Sequence, residues 1–362
     1  MEKFCIFCGK TPRSKNMEHV IPQWLIKLTG DSARKISLGI DFNNPDSPLR
    51  SYAFNQFKFP SCQLCNSKFG ELESKAKPII ENILNDNPLS ASDFNIFFDW
   101  LDKVRIGLWL AFFYLDNNAA DIEPNYHITF RVGIYDRMSA IYKANDDMEG
   151  ISFIASNTPA FQYNPSCFTL VINKYYFFNL SSQFLFSRRI GFPYPKTQLY
   201  DPTIKKVAVD LDHSRNRVMY PLIRKSIWDP CKQIYQPMFS SPEFSDELKN
   251  EYYDNEYIRS NSLDWHNGVG CIYLQHNGKI INYSLSHNKS WIPEKGLDRD
   301  IIEEEIVNQT LDFQIYMMGI TPITDSLTEE HKKNIEMQLT FAKRFNKALV
   351  NKYNKTIAQQ LH

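Results

Sequence analysis

The sequence predicts an α+β fold, and three observations support this prediction. Apolar residues recur at helical spacing from Asp93 to Leu115. Segments rich in β-branched and aromatic residues follow over residues 125–210, which is typical of an antiparallel sheet. A second helical pattern runs along residues 327–362. We therefore expect a cysteine-rich N-terminal domain, residues 1–88, followed by a larger α+β domain, residues 89–362, with an antiparallel sheet and a long C-terminal helix.

Local patterns predict the individual elements of the larger domain. The predicted strand segments are YHITFRVGIY, GISFIAS, CFTLVINKYYFF, SQFLFS and KKVAVDLD. A hairpin is expected to turn at Asn277 and Gly278. Ser326 and Glu329 form a capping-box pattern ahead of the last helix. One face of that helix carries Ile335, Leu339, Ala342, Phe345, Leu349 and Tyr353.

Composition and charge narrow the class of protein. Hydrophobic residues make up 43% of the chain and its formal net charge is zero, which argues against wholesale disorder. Residues 1–80 nevertheless carry twelve Lys and Arg against seven Asp and Glu, a net charge of +5. A basic module on an acidic body favours a local binding site for a polyanion. The longest apolar run, Ile106 to Leu115, is about half of what a membrane span needs and predicts a buried helix.

Cysteine usage indicates metal binding. Four of the seven cysteines form two C-x-x-C pairs, Cys5 with Cys8 and Cys62 with Cys65. Two such pairs can hold one Zn²⁺ tetrahedrally, and a closed shell of four thiolates predicts a structural ion. The N-terminal MEKFCIFCGK lacks an apolar secretory core, so we expect a reducing, cytoplasmic setting and no membrane. The alternative is four buried cysteines without a metal.

A resemblance to a known family rests on three short motifs. They are the first C-x-x-C pair, the segment Glu18-His19-Val20-Ile21-Pro22, and the second C-x-x-C pair with Asn66 directly after it. Together they resemble the zinc-stapled HNH (ββα-metal) endonucleases, over about residues 1–80 only. The resemblance implies a ββα-metal finger, hydrolysis of DNA with Mg²⁺ or Mn²⁺, and a role in bacterial defence or mobile-element biology. Because one such site cuts one strand at a time, a homodimer is possible.

The resemblance also assigns roles to individual residues. It implies that His19 is the general base, while Glu18 and Asn66 hold the catalytic divalent metal. Neighbours on a strand point to opposite faces, so Glu18 and His19 can share a site only at a bulge or a strand end. This chain has Glu18 where Asp or His is usual in the family. The middle Asn of the family would fall at Phe57, and Asn55 could serve instead by orienting His19.

Other charged residues of the N-terminal domain have two possible interpretations. Arg50, Lys58 and Lys68 could contact phosphates, or they could be solvated surface charges. Glu73 lies about two helical turns after Asn66 on the same face and could join the metal ligands. We favour a surface carboxylate facing Lys75 or Lys77.

Two alternative functions belong to other classes of protein. The first is a catalytically inactive zinc module that binds nucleic acid. The second is a zinc module for protein–protein interaction, without a nucleic-acid role.

Overall fold

The chain begins with a two-stranded unit that leads into a helix. The computed structural model describes residues 4–12, 16–30, 35–38, 50–54, 57–115, 124, 126–182, 185, 194–201, 206–212, 231–238, 270–276, 279–283, 293, 296–319 and 328–360. The elements of the described part of residues 16–84 are β1 (Asn16–His19), α1 (Gln23–Leu28), β2 (Lys35–Leu38), β3 (Arg50–Ala53), β4 (Lys58–Ser61) and α2 (Gln63–Leu84). β1 pairs antiparallel with β4, and β2 with β3. The β1–β4 pair therefore continues directly into α2.

The predicted helix from Asp93 to Leu115 is confirmed as α3 (Ala91–Tyr114). It begins with a capping box, in which Ser90 and Asp93 satisfy each other's backbone N–H groups. The apolar run is buried as predicted, and so are the charged residues Asp102, Lys103 and Arg105. Burial all round the helix means that α3 is covered by protein on more than one side.

A seven-stranded antiparallel sheet follows α3, which confirms the predicted sheet. Its strands, in spatial order, are β13 (Lys279–Asn282), β12 (Tyr273–His276), β11 (Lys232–Gln236), β5 (Asp136–Lys143), β8 (Tyr175–Ser182), β7 (Cys167–Ile172) and β6 (Ile151–Ile154). The predicted hairpin is confirmed by the pairing of β12 with β13, although residues 277–278 themselves lie outside the described part. A separate hairpin pairs β9 (Tyr194–Asp201) with β10 (Lys206–Asp212).

The strand predicted for YHITFRVGIY is wrong. Residues 128–130 form a 3-10 helix, and the strand β5 begins only at Asp136. Tertiary hydrogen bonds explain the difference, because the N–H groups of Ile128 and Thr129 donate to the carbonyls of Ile6 and Phe7. Gly133, with φ of +70°, then turns the chain toward the sheet.

Helices cover both faces of the sheet. Phe177 packs on Phe97 of α3, with ring centroids 5.2 Å apart. Its neighbour Phe178 points to the opposite face and packs on Phe313, 5.4 Å away, in α5 (Arg299–Gly319). The remaining helices, α4 (Pro159–Tyr163) and α6 (Glu329–Gln360), pack against α5. The architecture is thus α+β with the sheet between helical layers.

The long C-terminal helix is confirmed as α6. The apolar face predicted for it is turned inward, whereas Met337 and Phe341 are exposed. Thr328 accepts a hydrogen bond from the His331 N–H, so it caps this helix, and Ser326 lies outside the described residues. In the part of the chain that the structure describes, no helix has the length and apolar character needed to cross a membrane.

The first 88 residues share their core with α3 and the sheet. One cluster of buried apolar side chains contains Phe7 and Phe57 together with Phe97 and Phe177. Phe7 also stacks on Phe69 of α2, at 4.2 Å between ring centroids. The boundary at residues 88–89 stays a prediction, but the packing across it is continuous.

Candidate functional site

The four paired cysteines come together as a cluster that can hold a metal ion. Their sulfur atoms all lie within 4.8 Å of one another, and none is in a disulfide. Cys5 and Cys8 lie in the N-terminal turn, Cys62 caps α2, and Cys65 lies in its first turn. The two C-x-x-C pairs are far apart in the sequence, and the fold brings their four sulfur atoms together.

Backbone geometry supports the cluster. The N–H of Cys62 donates to the sulfur of Cys5 at 3.2 Å. Gly9 directly follows the first pair with φ of +73°, a conformation that side chains disfavour, and its N–H donates to the carbonyl of Cys5. The N–H of Ile6 donates to the carbonyl of Pro60, which ties the first pair to β4. These hydrogen bonds hold the turn that carries Cys5 and Cys8, the cysteine turn, against β4 and the start of α2.

The electrostatics of the second cysteine pair fit a site for a cation. Burial, together with hydrogen bonds and repulsion from Cys5 and Cys8, raises the pKa of Cys62 to about 11. The pKa of Cys65 is likewise raised, to about 12, and burial is the largest cause. Thiolates this close repel one another, and a divalent metal removes that penalty by coordinating them. The donor set fits an ion such as zinc, and four sulfur ligands leave it no open position.

Glu18 and His19 lie at the end of β1. His19 is the last residue of the strand, so the strand end required for both side chains to share one site is present. Glu18 is buried and His19 half-buried. After the strand, the N–H of Val20 donates to the carbonyl of Phe57, and the chain turns into α1. The β1–β4 pair places Lys58 opposite His19.

The two ring nitrogens of His19 have different surroundings. Nε2 lies 3.1 Å from the amide nitrogen of Gln23, the first residue of α1. Nδ1 is buried and has no hydrogen-bond partner among the residues that the structure describes. Burial, followed by the positive charges of Lys58 and Lys103, lowers the pKa of His19 to about 4. The imidazole is therefore neutral near pH 7 and able to accept a proton.

A buried lysine links this strand end to α2 and α3. Lys103 has no exposed side-chain surface, and its ammonium donates to Glu18 Oε1 at 3.2 Å, to the His19 carbonyl at 3.1 Å, and to Glu73 Oε1. We call Glu18, Lys103 and Glu73 the carboxylate–lysine cluster. Sequence reasoning missed Lys103, and the only sign was a lysine inside an apolar helical stretch.

The favoured interpretation of Glu73 as a surface carboxylate is wrong. Its side chain is only 14% exposed and faces Lys103, not Lys75 or Lys77. Lys77 instead pairs with Glu81, 3.8 Å away. Burial raises the pKa of Glu73, although Lys103 acts in the opposite direction. The reason is tertiary, since α3 packs against the face of α2 that carries Glu73.

The other predicted site residues are described only in part. Asn66 is half-buried in α2, about two helical turns before Glu73 and on the same helical face. Lys58 and Lys68 are exposed. Arg50 begins β3, but its side chain is outside the described part, and Asn55 lies outside the described residues altogether. A shared pocket for Glu18, His19 and Asn66 stays a prediction.

Comparison with known proteins does not identify a family. No protein-family model, curated protein or solved structure matches the chain. The four-cysteine cluster and the carboxylate–lysine cluster are therefore the features from which a function must be argued.

Proposed function

We propose that the protein is a metal-dependent endonuclease of the HNH type, which hydrolyses phosphodiester bonds of DNA. The observation that carries the proposal is the order of β1, β4 and α2 around the four-cysteine cluster. Glu18 and His19 end the first strand of this unit, and Asn66 directly follows Cys65 in the helix. The same order of elements and residues is what the resemblance to HNH nucleases implies.

His19 would act as the general base. Because the imidazole of His19 is neutral near pH 7, it can accept the proton of an attacking water. The water oxygen then bonds to phosphorus as the bond to the leaving ester oxygen breaks, and that oxygen takes a proton from solvent. A phosphate held beside His19 would raise its pKa from about 4 toward the ordinary value, which strengthens the base.

Glu18 and Asn66 would hold Mg²⁺ or Mn²⁺. The ion supplies stabilisation of the negative charge on the phosphate and the leaving oxygen. Lys103 contacts Oε1 of Glu18, and 11% of the Glu18 side chain is exposed. A second carboxylate oxygen can thus face a hard cation, which fits the oxygen ligands that these metals prefer.

DNA would be held by basic residues near the strand end. Lys58 and Lys68 are exposed, and they belong with Arg50 to the basic N-terminal region. Lys and Arg on phosphates supply affinity that does not depend on sequence. We further propose a cytoplasmic setting, where thiols stay reduced, and a homodimer for double-strand cutting. A role in bacterial defence or mobile-element biology belongs to the same proposal.

A second candidate is an inactive zinc module that binds nucleic acid or another protein. One observation favours it, because Lys103 already neutralises part of the charge of Glu18. A carboxylate paired with a buried ammonium binds a divalent ion less tightly than a free one. This candidate predicts retention on DNA, or on a protein partner, without cleavage.

Plasmid cleavage with and without Mg²⁺ or Mn²⁺ tests the proposal. Wild-type protein should cut only with metal, and His19→Ala should lower the rate by about 10²- to 10⁴-fold, the usual contribution of general-base catalysis. DNA affinity should hardly change, because His19 is not a source of affinity. His331→Ala, an exposed histidine on α6, is the matched control. Cleavage by His19→Ala at the wild-type rate would refute the assignment.

Binding is tested separately from chemistry. Lys58→Gln and Lys68→Gln should weaken DNA binding across sequences and lower the log–log salt slope by about one unit per lost phosphate contact. Lys343→Gln and Lys347→Gln remove exposed charges from α6, on the other side of the sheet, and serve as controls. Equal effects of both sets would mean that the N-terminal region is not the DNA surface.

A further inference from the structure

The carboxylate–lysine cluster joins three elements that are far apart in the sequence. Glu18 lies in β1, Glu73 in α2 and Lys103 in α3, 85 residues after Glu18. All three donors of the lysine ammonium have acceptors, which are two carboxylates and the His19 carbonyl. The side chain has no exposed surface, so it cannot contact a substrate directly.

Charge explains why a lysine is required at this position. Two carboxylates that share a buried site repel each other, and burial already raises the pKa of Glu73. The ammonium cancels one of the two negative charges and forms charge-assisted hydrogen bonds to both groups. Without it, Glu18 and Glu73 would form a pair of hard oxygen ligands with a net charge of −2, which is the composition of a divalent-cation site.

Lys103 also fixes the geometry of the strand end. It holds one oxygen of Glu18 and, through the carbonyl of His19, the last peptide of β1. α3 approaches this strand closely, since a Cβ on Gly107 would lie 2.8 Å from Val20. The ammonium is therefore held at a set position relative to the side chains that the proposed function uses.

We propose that Lys103 is a positioning residue that serves as a built-in cation. It takes the place that a second divalent ion would occupy between Glu18 and Glu73, and it holds Glu18 so that the other carboxylate oxygen faces the catalytic metal. The second half of this statement rests on the proposed nuclease function, whereas the first half does not. A consequence is that the nuclease uses one divalent ion and that helix α3 completes its site.

Counting bound Mn²⁺ in the zinc-loaded full-length protein tests the inference. Lys103→Met should bind one Mn²⁺ more than wild type, because the two carboxylates are left without their cation. The double variant Lys103→Met/Glu73→Gln should return to the wild-type number, because one ligand charge is gone. Lys143→Met, which removes a partly exposed lysine from its pair with Asp86, is the control and should bind as wild type does.

Thermal unfolding with and without Mn²⁺ covers the case in which Lys103→Met folds poorly. Mn²⁺ should raise the Tm of Lys103→Met more than that of wild type, since an ion that binds only the folded state stabilises it. A variant that is equally unstable with and without Mn²⁺, or that binds no additional ion, overturns the inference. A merely structural lysine would not create a new metal site when it is removed.

Cleavage kinetics separate this inference from the proposed function. If the wild type cuts DNA, Lys103→Met should lower kcat by about 10²-fold, the scale of a 1 Å misplacement, while KM for DNA stays unchanged. Lys103→Met/Glu73→Gln should recover stability but not kcat, because Glu18 still lacks its hydrogen bond from Lys103. Unchanged kcat in Lys103→Met overturns the positioning role alone. A wild type that does not cut overturns the nuclease proposal and the positioning role, while an additional Mn²⁺ in Lys103→Met still supports the built-in cation.

Discussion

The contact between His19 and Gln23 bears on which nitrogen of His19 carries the proton. If the Gln23 amide nitrogen donates to Nε2, the proton of His19 must sit on Nδ1, which is buried and has no acceptor among the described residues. A buried N–H left without an acceptor costs about 1–3 kcal/mol. Rotating the amide by half a turn places its oxygen opposite Nε2, which can then carry the proton. Nδ1 is left as the free base.

We therefore expect the Nε2–H tautomer of His19 in the wild type. Long-range ¹H–¹⁵N NMR distinguishes the two tautomers, and His19→Gln assigns the signal. Gln23→Met should give a mixture, because both hydrogen-bonding groups are lost, whereas Gln23→Glu keeps an acceptor and should keep the tautomer. Lys27→Gln changes an exposed residue of the same helix and is the control. An Nδ1–H signal in the wild type would contradict this assignment.

His127 makes the N-terminal region sensitive to acid. Its ring lies edge-on to Phe4, with centroids 4.7 Å apart, and so close to Gly9 that a Cβ there would meet it at 2.5 Å. Burial lowers the pKa of His127 below 6.5, and no described residue forms a hydrogen bond with its buried Nε2. The unfolded chain therefore binds a proton more readily than the folded one.

The stabilisation from neutral His127 is present above pH 6.5 and is lost as the pH falls below that value toward the lowered pKa. The Tm of wild type should thus fall more steeply between pH 7 and pH 5 than that of His127→Gln, which cannot titrate. Acid effects on the cysteine thiolates are common to both proteins and cancel in the comparison. A difference in Tm that stays constant with pH would refute the role of His127.

At the scale of elements, α3 is the helix on which the other parts converge. Toward the sheet, the Asp102 carboxylate accepts from Arg105 at 2.7 Å and from Arg137 of β5 at 3.1 Å. Arg137 also donates to Gln236 of β11. Toward the N-terminal unit, the same helix supplies Lys103. Buried ion pairs add little net stability, but breaking one is costly. These pairs therefore determine the position of α3 relative to the sheet and the N-terminal unit.

Two glycines test how closely α3 must approach β1. Gly107→Ala should destabilise the protein, because the added carbon would lie 2.8 Å from a buried Val20 methyl group. The cost should be about 1–3 kcal/mol, as for other overpacked cores. Gly70→Ala in α2 has open space and should be neutral or stabilising by up to about 1 kcal/mol through helix propensity. Denaturant unfolding measures both. Equal effects would mean that the α3–β1 contact tolerates expansion.

At the scale of the whole molecule, the cysteine cluster and the sheet depend on a shared core. Buried side chains from the cysteine turn, the β1–β4 pair, α3 and the sheet belong to one apolar cluster. The hydroxyl of Tyr114, near the end of α3, also donates to the carbonyl of Phe4 at 2.6 Å. Loss of the metal from the cysteine cluster should therefore also destabilise elements after residue 88.

Removing the metal measures this dependence. The protein should contain about one zinc per chain, and Cys62→Ser should lose it, because three sulfur ligands do not close a tetrahedral site. Hydrogen exchange should then accelerate across β1, β4 and α2, and also in α3. Cys167→Ala changes a buried cysteine of the sheet outside the cluster and should keep the zinc. A zinc-free wild type with slow exchange in these elements would contradict a structural metal.

Sequence patterns by themselves determined the local features of this protein. Two C-x-x-C pairs predicted the cysteine cluster, apolar spacing predicted α3 and α6, and alternation with turn residues predicted the antiparallel sheet. These features are readable because periodicity and motif spacing are properties of short stretches of chain. The strand at residues 126–135 was mispredicted, since its backbone donors are used by carbonyls far away in the sequence.

Only the tertiary structure decided the surroundings of Glu18 and His19. Lys103 follows Glu18 by 85 residues, and no local pattern relates a lysine in an apolar helix to a carboxylate at a strand end. The same packing leaves the side chain of Glu73, which was predicted to lie on the surface, only 14% exposed. A buried ammonium is stable only where several hydrogen-bond acceptors surround it. Here the acceptors come from different elements, and only the tertiary packing brings them together.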